Sequence, residues 1–216
     1  MISAQLRHVA KVAKQRGALR VGLTGGIASG KTLVAAMFEV LGAPVAFADS
    51  MARGLMERPG PVRTTLERLL GADAYLPNGS LDRAQLGARL FADAQLLEQV
   101  NAIVHPAVRK AAEEWHRMAS MGASYTVYES ALLFESGAYR DFDAVVTVHA
   151  PLPLRLARAV ERDGTDEESV RARMAAQLSD HERLAHDSYI ILNDGSRSLI
   201  RQVHEFHVML RSAAKI

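Results

Sequence analysis

The 216-residue sequence carries 26 Lys+Arg against 24 Asp+Glu, a formal net charge of +2, and so weak a field excludes nucleic acid as a partner held by bulk electrostatics. Its 49% hydrophobic and 23% charged residues fit a globular chain and exclude a disordered or fibrous one. The absence of cysteine excludes disulfides and thiolate metal sites and points to a reducing, cytoplasmic setting, while no apolar run approaches the roughly 20 residues of a membrane helix.

The chain begins with a basic extension, residues 1–19, followed by Arg20; Arg7, Lys11, Lys14 and Arg16 have no acidic neighbour there. Ile2, Leu6, Val9 and Val12 lie loosely on one helical face, but without a continuous apolar stretch a secretory signal is not expected. A frayed basic arm is a better reading than a transit peptide or membrane-surface helix.

Arg20 to Thr24 then reads as a short buried strand, and Leu33 to Leu41, with Val34, Met37, Phe38 and Leu41 at helical spacing, as the helix after it. Further strands are expected at Pro44–Ala48, Tyr125–Tyr128, Ala144–Val148 and Tyr189–Leu192, with a last helix from Ser196 to Arg211. Strands alternating with helices imply right-handed crossovers, and hence a three-layer α/β fold on a parallel five-stranded sheet. Two stretches exceed a simple crossover. Residues 54–118 are helical by pattern, with turns at Pro59-Gly60-Pro61 and Pro77-Asn78-Gly79, and would make a helical substrate-binding insertion. Residues 151–186 carry Arg155, Arg158, Arg162, Arg171, Arg173 and Arg183 around a break at Asp163-Gly164, which reads either as a mobile lid or as a solvated helical face. The expected organisation is one domain over 20–216, with core segments 20–53, 119–150 and 187–216.

Gly25-Gly26-Ile27-Ala28-Ser29-Gly30-Lys31-Thr32 fits G-x-x-x-x-G-K-[ST], and it stands where that motif must, between an apolar strand and a helix. Its glycines let backbone N–H groups turn onto phosphates, and the helix N-terminus adds partial positive charge. Lys31 would bridge the β- and γ-phosphates of ATP, and the Thr32 hydroxyl would ligate Mg²⁺. A tight glycine turn capping a helix would explain one or two glycines but not the Lys-Thr pair. No Asn-Lys-x-Asp guanine reader occurs, which argues against a GTPase. The small chain with a helical insertion instead suggests a kinase that closes over its substrates to exclude water.

Asp49 follows the second expected strand, at the end of the sheet where ligands bind in open α/β folds. It could accept a hydroxyl proton, contact Mg²⁺ or cap a helix starting at Ser50. Glu129, ending the third strand, could hold a magnesium-bound water. His105-Pro106 reads by default as a turn or helix boundary.

Taken together, Gly22 to Ile27, Ala48-Asp49-Ser50-Met51-Ala52-Arg53, Leu81-Asp82-Arg83, Val104-His105-Pro106, Leu132-Leu133-Phe134-Glu135, Arg158 with Arg162-Asp163-Gly164, Ala176-Gln177 and Asn193-Asp194-Gly195 resemble dephospho-CoA kinases in order and spacing. The resemblance covers residues 20–210 and implies transfer of the ATP γ-phosphoryl to the ribose 3′-hydroxyl of dephospho-CoA. By it, the fold is that of the nucleoside monophosphate kinases. Asp49 falls at the catalytic base, and Arg158 and Arg162 on the lid, with Arg158 contacting phosphate. Arg53, Phe91, His105 and Pro106 fall at the acceptor site, and Asn193 to Gly195 near the adenine. It implies ATP and dephospho-CoA as ligands of a monomer or small homo-oligomer, and neither nucleic acid nor membrane as a partner.

Three positions and one segment depart from the family pattern: Ala28 stands for Gly, Thr32 for Ser, Phe47 for the first acid of Asp-x-Asp, and Glu129-Ser130-Ala131 for a shorter, proline-containing segment. Thr32 keeps its hydroxyl, so the changes bear mainly on metal geometry. The rival readings are another small-molecule kinase of similar fold and a nucleotide-binding regulator without transfer activity.

Overall fold

The computed structural model describes residues 18–186 and 188–214, so most of the basic extension lies outside the described residues. Five strands form one sheet: β1 (Leu19–Thr24), β2 (Val45–Phe47), β3 (Tyr125–Glu129), β4 (Ala144–His149) and β5 (Tyr189–Leu192), in the order β2-β3-β1-β4-β5. β1 pairs in parallel with both β3 and β4, and β4 with β5. A central strand flanked on both sides must be apolar on both faces, and Val21 and Leu23 are accordingly inaccessible to solvent.

The chain divides into two compact units, one comprising the chain to Val45 and from His116 onward, the other Ala46–Trp115. In the first, helix α1 (Lys31–Val40) buries Val34, Ala35 and Phe38. Phe38 meets Tyr125 and Phe206 edge to face, at ring-centroid distances of 6.3 and 6.2 Å. Such pairs contribute about 0.5–1.5 kcal/mol beyond area burial.

The second unit holds α2 (Ala48–Glu57), α3 (Pro61–Leu70), α4 (Arg83–Ala92) and most of α5 (Ala94–Ala119). Leu66, Leu70, Ala74, Leu81, Leu86, Val100 and Val104 form its core. Full burial of each large aliphatic side chain contributes about 1.5–3 kcal/mol. Arg63 closes one side of this unit: its guanidinium lies 4.5 Å over the Tyr75 ring and donates to the carbonyls of Glu57 and Gly79 at 2.6 and 3.0 Å.

Three expected boundaries are corrected. The second strand stops at Phe47, whose extended backbone begins α2, so Asp49 lies inside the first helical turn and does not cap a helix at Ser50. His105-Pro106 is no boundary, because α5 runs through it from Ala94 to Ala119. An internal proline costs about 3 kcal/mol. Burial of Val100 and Val104, with Ile103 and Val108 packed beside them, offsets that cost. The last helix is Leu199–Ala214, starting after Ser196, because the Asp194 carboxylate folds the chain into a turn by accepting from the Ser196 N–H and hydroxyl at 2.9 and 2.6 Å.

Between β4 and β5 lie α6 (Leu152–Asp163), α7 (Glu167–Ala175) and α8 (Asp180–Ala185). Each has a local start or stop signal. Gly164 ends α6 in the left-handed region, Asp166 caps α7, and Ser179 with Glu182 forms a capping box on α8.

Candidate functional site

The glycine-rich loop joins the end of β1 to the start of α1, with Gly30 at the helix N-cap. Gly30 has φ 98, a left-handed conformation that glycine adopts without steric cost, and a Cβ there would collide with the Asn193 side-chain amide. Helix α1 therefore opens with its first N–H groups and its dipole directed at the loop.

Most of the loop's carbonyls are engaged by side chains. The Lys31 ammonium donates to the carbonyls of Gly25 and Gly26 at 2.9 and 3.2 Å. Asn193 Nδ2 donates to the Ser29 carbonyl at 2.8 Å, and Arg158 Nη1 donates to the Asn193 carbonyl at 3.1 Å. The Ile27 N–H donates to Gln177 Oε1 at 2.9 Å. Anchoring of this kind fixes a backbone before any ligand arrives, which is the arrangement an oxyanion site needs.

Asn193 is itself well held. Its N–H donates to the His149 carbonyl at 2.8 Å, and Gln202 clamps the preceding Leu192 by both N–H and C=O at 2.9 Å. The structure thus brings Lys31 and Asn193 onto the loop, with Arg158 beside it on the Asn193 carbonyl. Gly195 lies in the exposed turn beyond Asn193.

Thr32 is exposed in the first turn of α1, and Glu129 is 8% exposed at the end of β3. Arg162 is not drawn into the loop. It pairs with Asp163 through bonds of 2.7 and 3.1 Å, and Arg173 holds the same carboxylate at 2.8 Å. Arg162, and after it Arg173, hold the Asp163 pKa down at about 2.

In the unit Ala46–Trp115 the remaining expected residues have their own setting. Asp49 and Arg53 are exposed on α2, His105 and Pro106 are exposed in mid-α5, and Phe91 is 95% exposed near the end of α4.

Four residues that matter to the loop were given no site role by the sequence: Arg155 stood only as one of the arginines of segment 151–186, Gln177 and Glu135 only within family-like motifs, and Asp180 was not singled out. A signal was present for Arg155, since Leu152, Arg155, Leu156 and Ala159 occupy the i, i+3, i+4, i+7 positions of one helical face. A cation on an apolar stripe must be paired where it lands.

A glycine-rich phosphate loop between the central strand and its following helix, on a five-stranded parallel sheet, defines a phosphate-loop nucleotide-binding protein of the kinase type. The sequence model of the family described as dephospho-CoA kinase matches residues 19–198. A dephospho-CoA kinase of Anaeromyxobacter dehalogenans is 42% identical over 177 residues, covering 82% of this chain and 84% of that one. One from Bacteroides fragilis is 36% identical over 193 residues, covering 89% and 93%. This chain belongs to the dephospho-CoA kinase family. Among solved structures, a Thermus thermophilus protein superimposes with TM-score 0.79 at 31% identity, covering 89% of this chain and 97% of the other. A dephospho-CoA kinase from Campylobacter jejuni gives 0.68 at 22% identity, with the same coverage, a likeness of fold.

Proposed function

We propose that this chain transfers the γ-phosphoryl of ATP to the ribose 3′-hydroxyl of dephospho-CoA, giving coenzyme A and ADP. The observation that carries the reading is the clamped phosphate loop with Lys31 at its end, in a chain of this family. In this reading Lys31 exchanges its loop carbonyls for the β- and γ-phosphates, and its charge grows in value as the γ-phosphoryl begins to leave. Arg158, on the Asn193 carbonyl beside the loop, supplies a second cation to the same phosphates. Asn193 and Gly195 border the adenine, and Asp49 receives the hydroxyl proton as general base. Arg53, Phe91, His105 and Pro106 contact the acceptor, and Arg162 leaves Asp163 to join the phosphates when segment 151–186 closes.

The donor set suits Mg²⁺: the exposed Thr32 hydroxyl and the Glu129 carboxylate are hard oxygen groups, and no cluster of three His, Cys, Asp or Glu occurs among the described residues. That is the pattern of a cation held chiefly by water and phosphate oxygens. Thr32 would ligate it, with Glu129 reaching it through water. Its chemistry would be to neutralise charge on the β- and γ-phosphates. Among the described residues no helix is long and apolar enough to cross a membrane, and with no cysteine in the sequence we place the reaction in the cytoplasm.

The test is acceptor-dependent ADP release with Mg-ATP, comparing dephospho-CoA, AMP and adenosine. The remote pantetheine arm contributes orientation as well as binding, so truncated acceptors should lose kcat as well as raise KM. Equal or better use of AMP would overturn the acceptor assignment.

A further inference from the structure

Arg155 is 5% exposed, yet it is the start of a chain of four alternating charges. Its Nη2 donates to both oxygens of Asp180 at 2.8 Å. Asp180 Oδ1 also accepts from Arg183 Nη1 at 3.2 Å, and Arg183 Nη2 lies 3.5 Å from Glu135 Oε1. Glu135 in turn accepts from the Leu178 N–H at 3.0 Å, tying the entrance of α8 to the segment after β3. The remaining edges of the Arg155 guanidinium are not directed at solvent. Nε donates to the Ala150 carbonyl at 2.9 Å, and Nη1 to the Ile27 carbonyl at 3.4 Å.

The contact with the loop is close. A Cβ on Gly26 would lie 2.5 Å from Arg155 Nη1, so Gly26, at a position the motif leaves open, is the residue that admits this guanidinium. Gln177 completes the grip by accepting from the Ile27 N–H while its Nε2 reaches the Ala131 carbonyl at 3.4 Å. The side chains of Ile27 and Ala28 pack on the cluster Leu156, Ala159 and Val170. Both polar groups of the Ile27 peptide unit and its side chain are therefore held by the segment between β4 and β5.

We infer that Arg155 is a positioning residue for ATP binding: with Gln177 it fixes the Gly26-Ile27 stretch so that the following loop amides are set for the phosphates. The inference rests on the phosphate-loop reading and is independent of which acceptor is used. A guanidinium is required because three differently directed acceptors are met by one planar group. A lysine can keep the charge opposite Asp180 but cannot also meet Ala150 and cover Gly26.

The test is ATP binding by calorimetric titration without acceptor, paired with steady-state kinetics, on Arg155→Lys and Gln177→Met. Arg155→Lys should weaken ATP at least about tenfold and raise KM for ATP by a similar factor, leaving KM for the acceptor within about twofold. Gln177→Met removes the Ile27 acceptor, together with the long Nε2 contact to the Ala131 carbonyl, and should act in the same direction by about three- to fivefold. Arg171→Ala, an exposed cation of the same segment, should leave ATP binding unchanged. If Arg155→Lys does not fold by circular dichroism, Gln177→Met decides alone. ATP affinity within twofold of wild type in the folded variants overturns the inference, as does an equal rise in both KM values, which would mark general loosening. Failure of wild-type protein to use dephospho-CoA, with these ATP effects intact, would instead refute the acceptor assignment.

Discussion

In the phosphate loop the backbone is held by side chains, with the carbonyls of Gly25 and Gly26 on Lys31 of the loop itself, that of Ile27 on Arg155 and that of Ser29 on Asn193. In the unit Ala46–Trp115 the candidate groups Asp49, Arg53, Phe91 and His105 are exposed side chains on helices whose core lies elsewhere. The loop is organised before a ligand arrives. The exposed side chains must be ordered by what they bind, and that ordering costs about 0.5–1.5 kcal/mol for each mobile group. One region should therefore respond to mutation through the nucleotide, the other through the acceptor and the chemical step.

The largest effect is expected at Lys31. Lys31→Ala should lower kcat at least about 10³-fold, because the ammonium is proposed to oppose charge that develops in the transition state. The variant should remain folded, as circular dichroism of the same preparation would check. Near-normal turnover would break the comparison on the side of the loop. Asp49→Asn comes next, with a fall in kcat of about 10²-fold or more and ATP affinity within twofold of wild type. Unchanged kcat would reduce Asp49 to a carboxylate near a helix N-terminus, a position that contributes only about 0.3–1 kcal/mol.

The same contrast governs what the sequence made legible. The loop could be read because its function resides in backbone geometry: Gly25, Gly26, Gly30, Lys31 and Thr32 at fixed spacing leave little alternative. The parallel sheet and its alternation with helices were legible for a similar reason, as buried parallel strands must be apolar runs, whereas the strand order came only with the fold. His105-Pro106 misled because local proline chemistry was outweighed by tertiary packing around Val100 and Val104. Arg155 was visible as a charge but not as a loop contact, since its partners Asp180 and Ile27 lie 25 and 128 positions away. Only the fold brings such acceptors to one guanidinium.

A stability mutant sharpens the contrast further. Leu66 is fully buried in the core of the Ala46–Trp115 unit, so Leu66→Ala should destabilise by about 2–5 kcal/mol through lost transfer energy and the cavity left behind. Thermal unfolding should move down while ATP titration of the folded fraction stays at the wild-type affinity. A matching loss of ATP affinity would show that the loop is not organised by its own clamps.

The smallest effect is expected at Ala28, where the loop's organisation is tested at its one awkward point. Ala28 has φ 58 and is the non-glycine residue with positive φ among the described residues. For an L-residue that conformation costs about 1–2 kcal/mol, which Ala28→Gly would relieve. Against the relief stand the extra chain freedom of glycine, about 0.5–1 kcal/mol, and a methyl group worth about 0.8 kcal/mol when buried. Here that methyl packs beside Leu156, Ala159 and Val170. The opposing contributions nearly cancel, so Ala28→Gly should shift Tm by no more than about 4 °C in either direction, a change of about 1 kcal/mol for a chain of this size. ATP affinity should change less than about threefold, because Arg155 and Gln177 on Ile27 and Asn193 on Ser29 still hold the backbone on both sides of the substituted residue. A tenfold weaker ATP affinity would mean that the Ala28 methyl against α6 and α7, and not the set of clamped peptide groups, keeps the loop in shape, and the contrast between a backbone-built and a side-chain-built region would then fail.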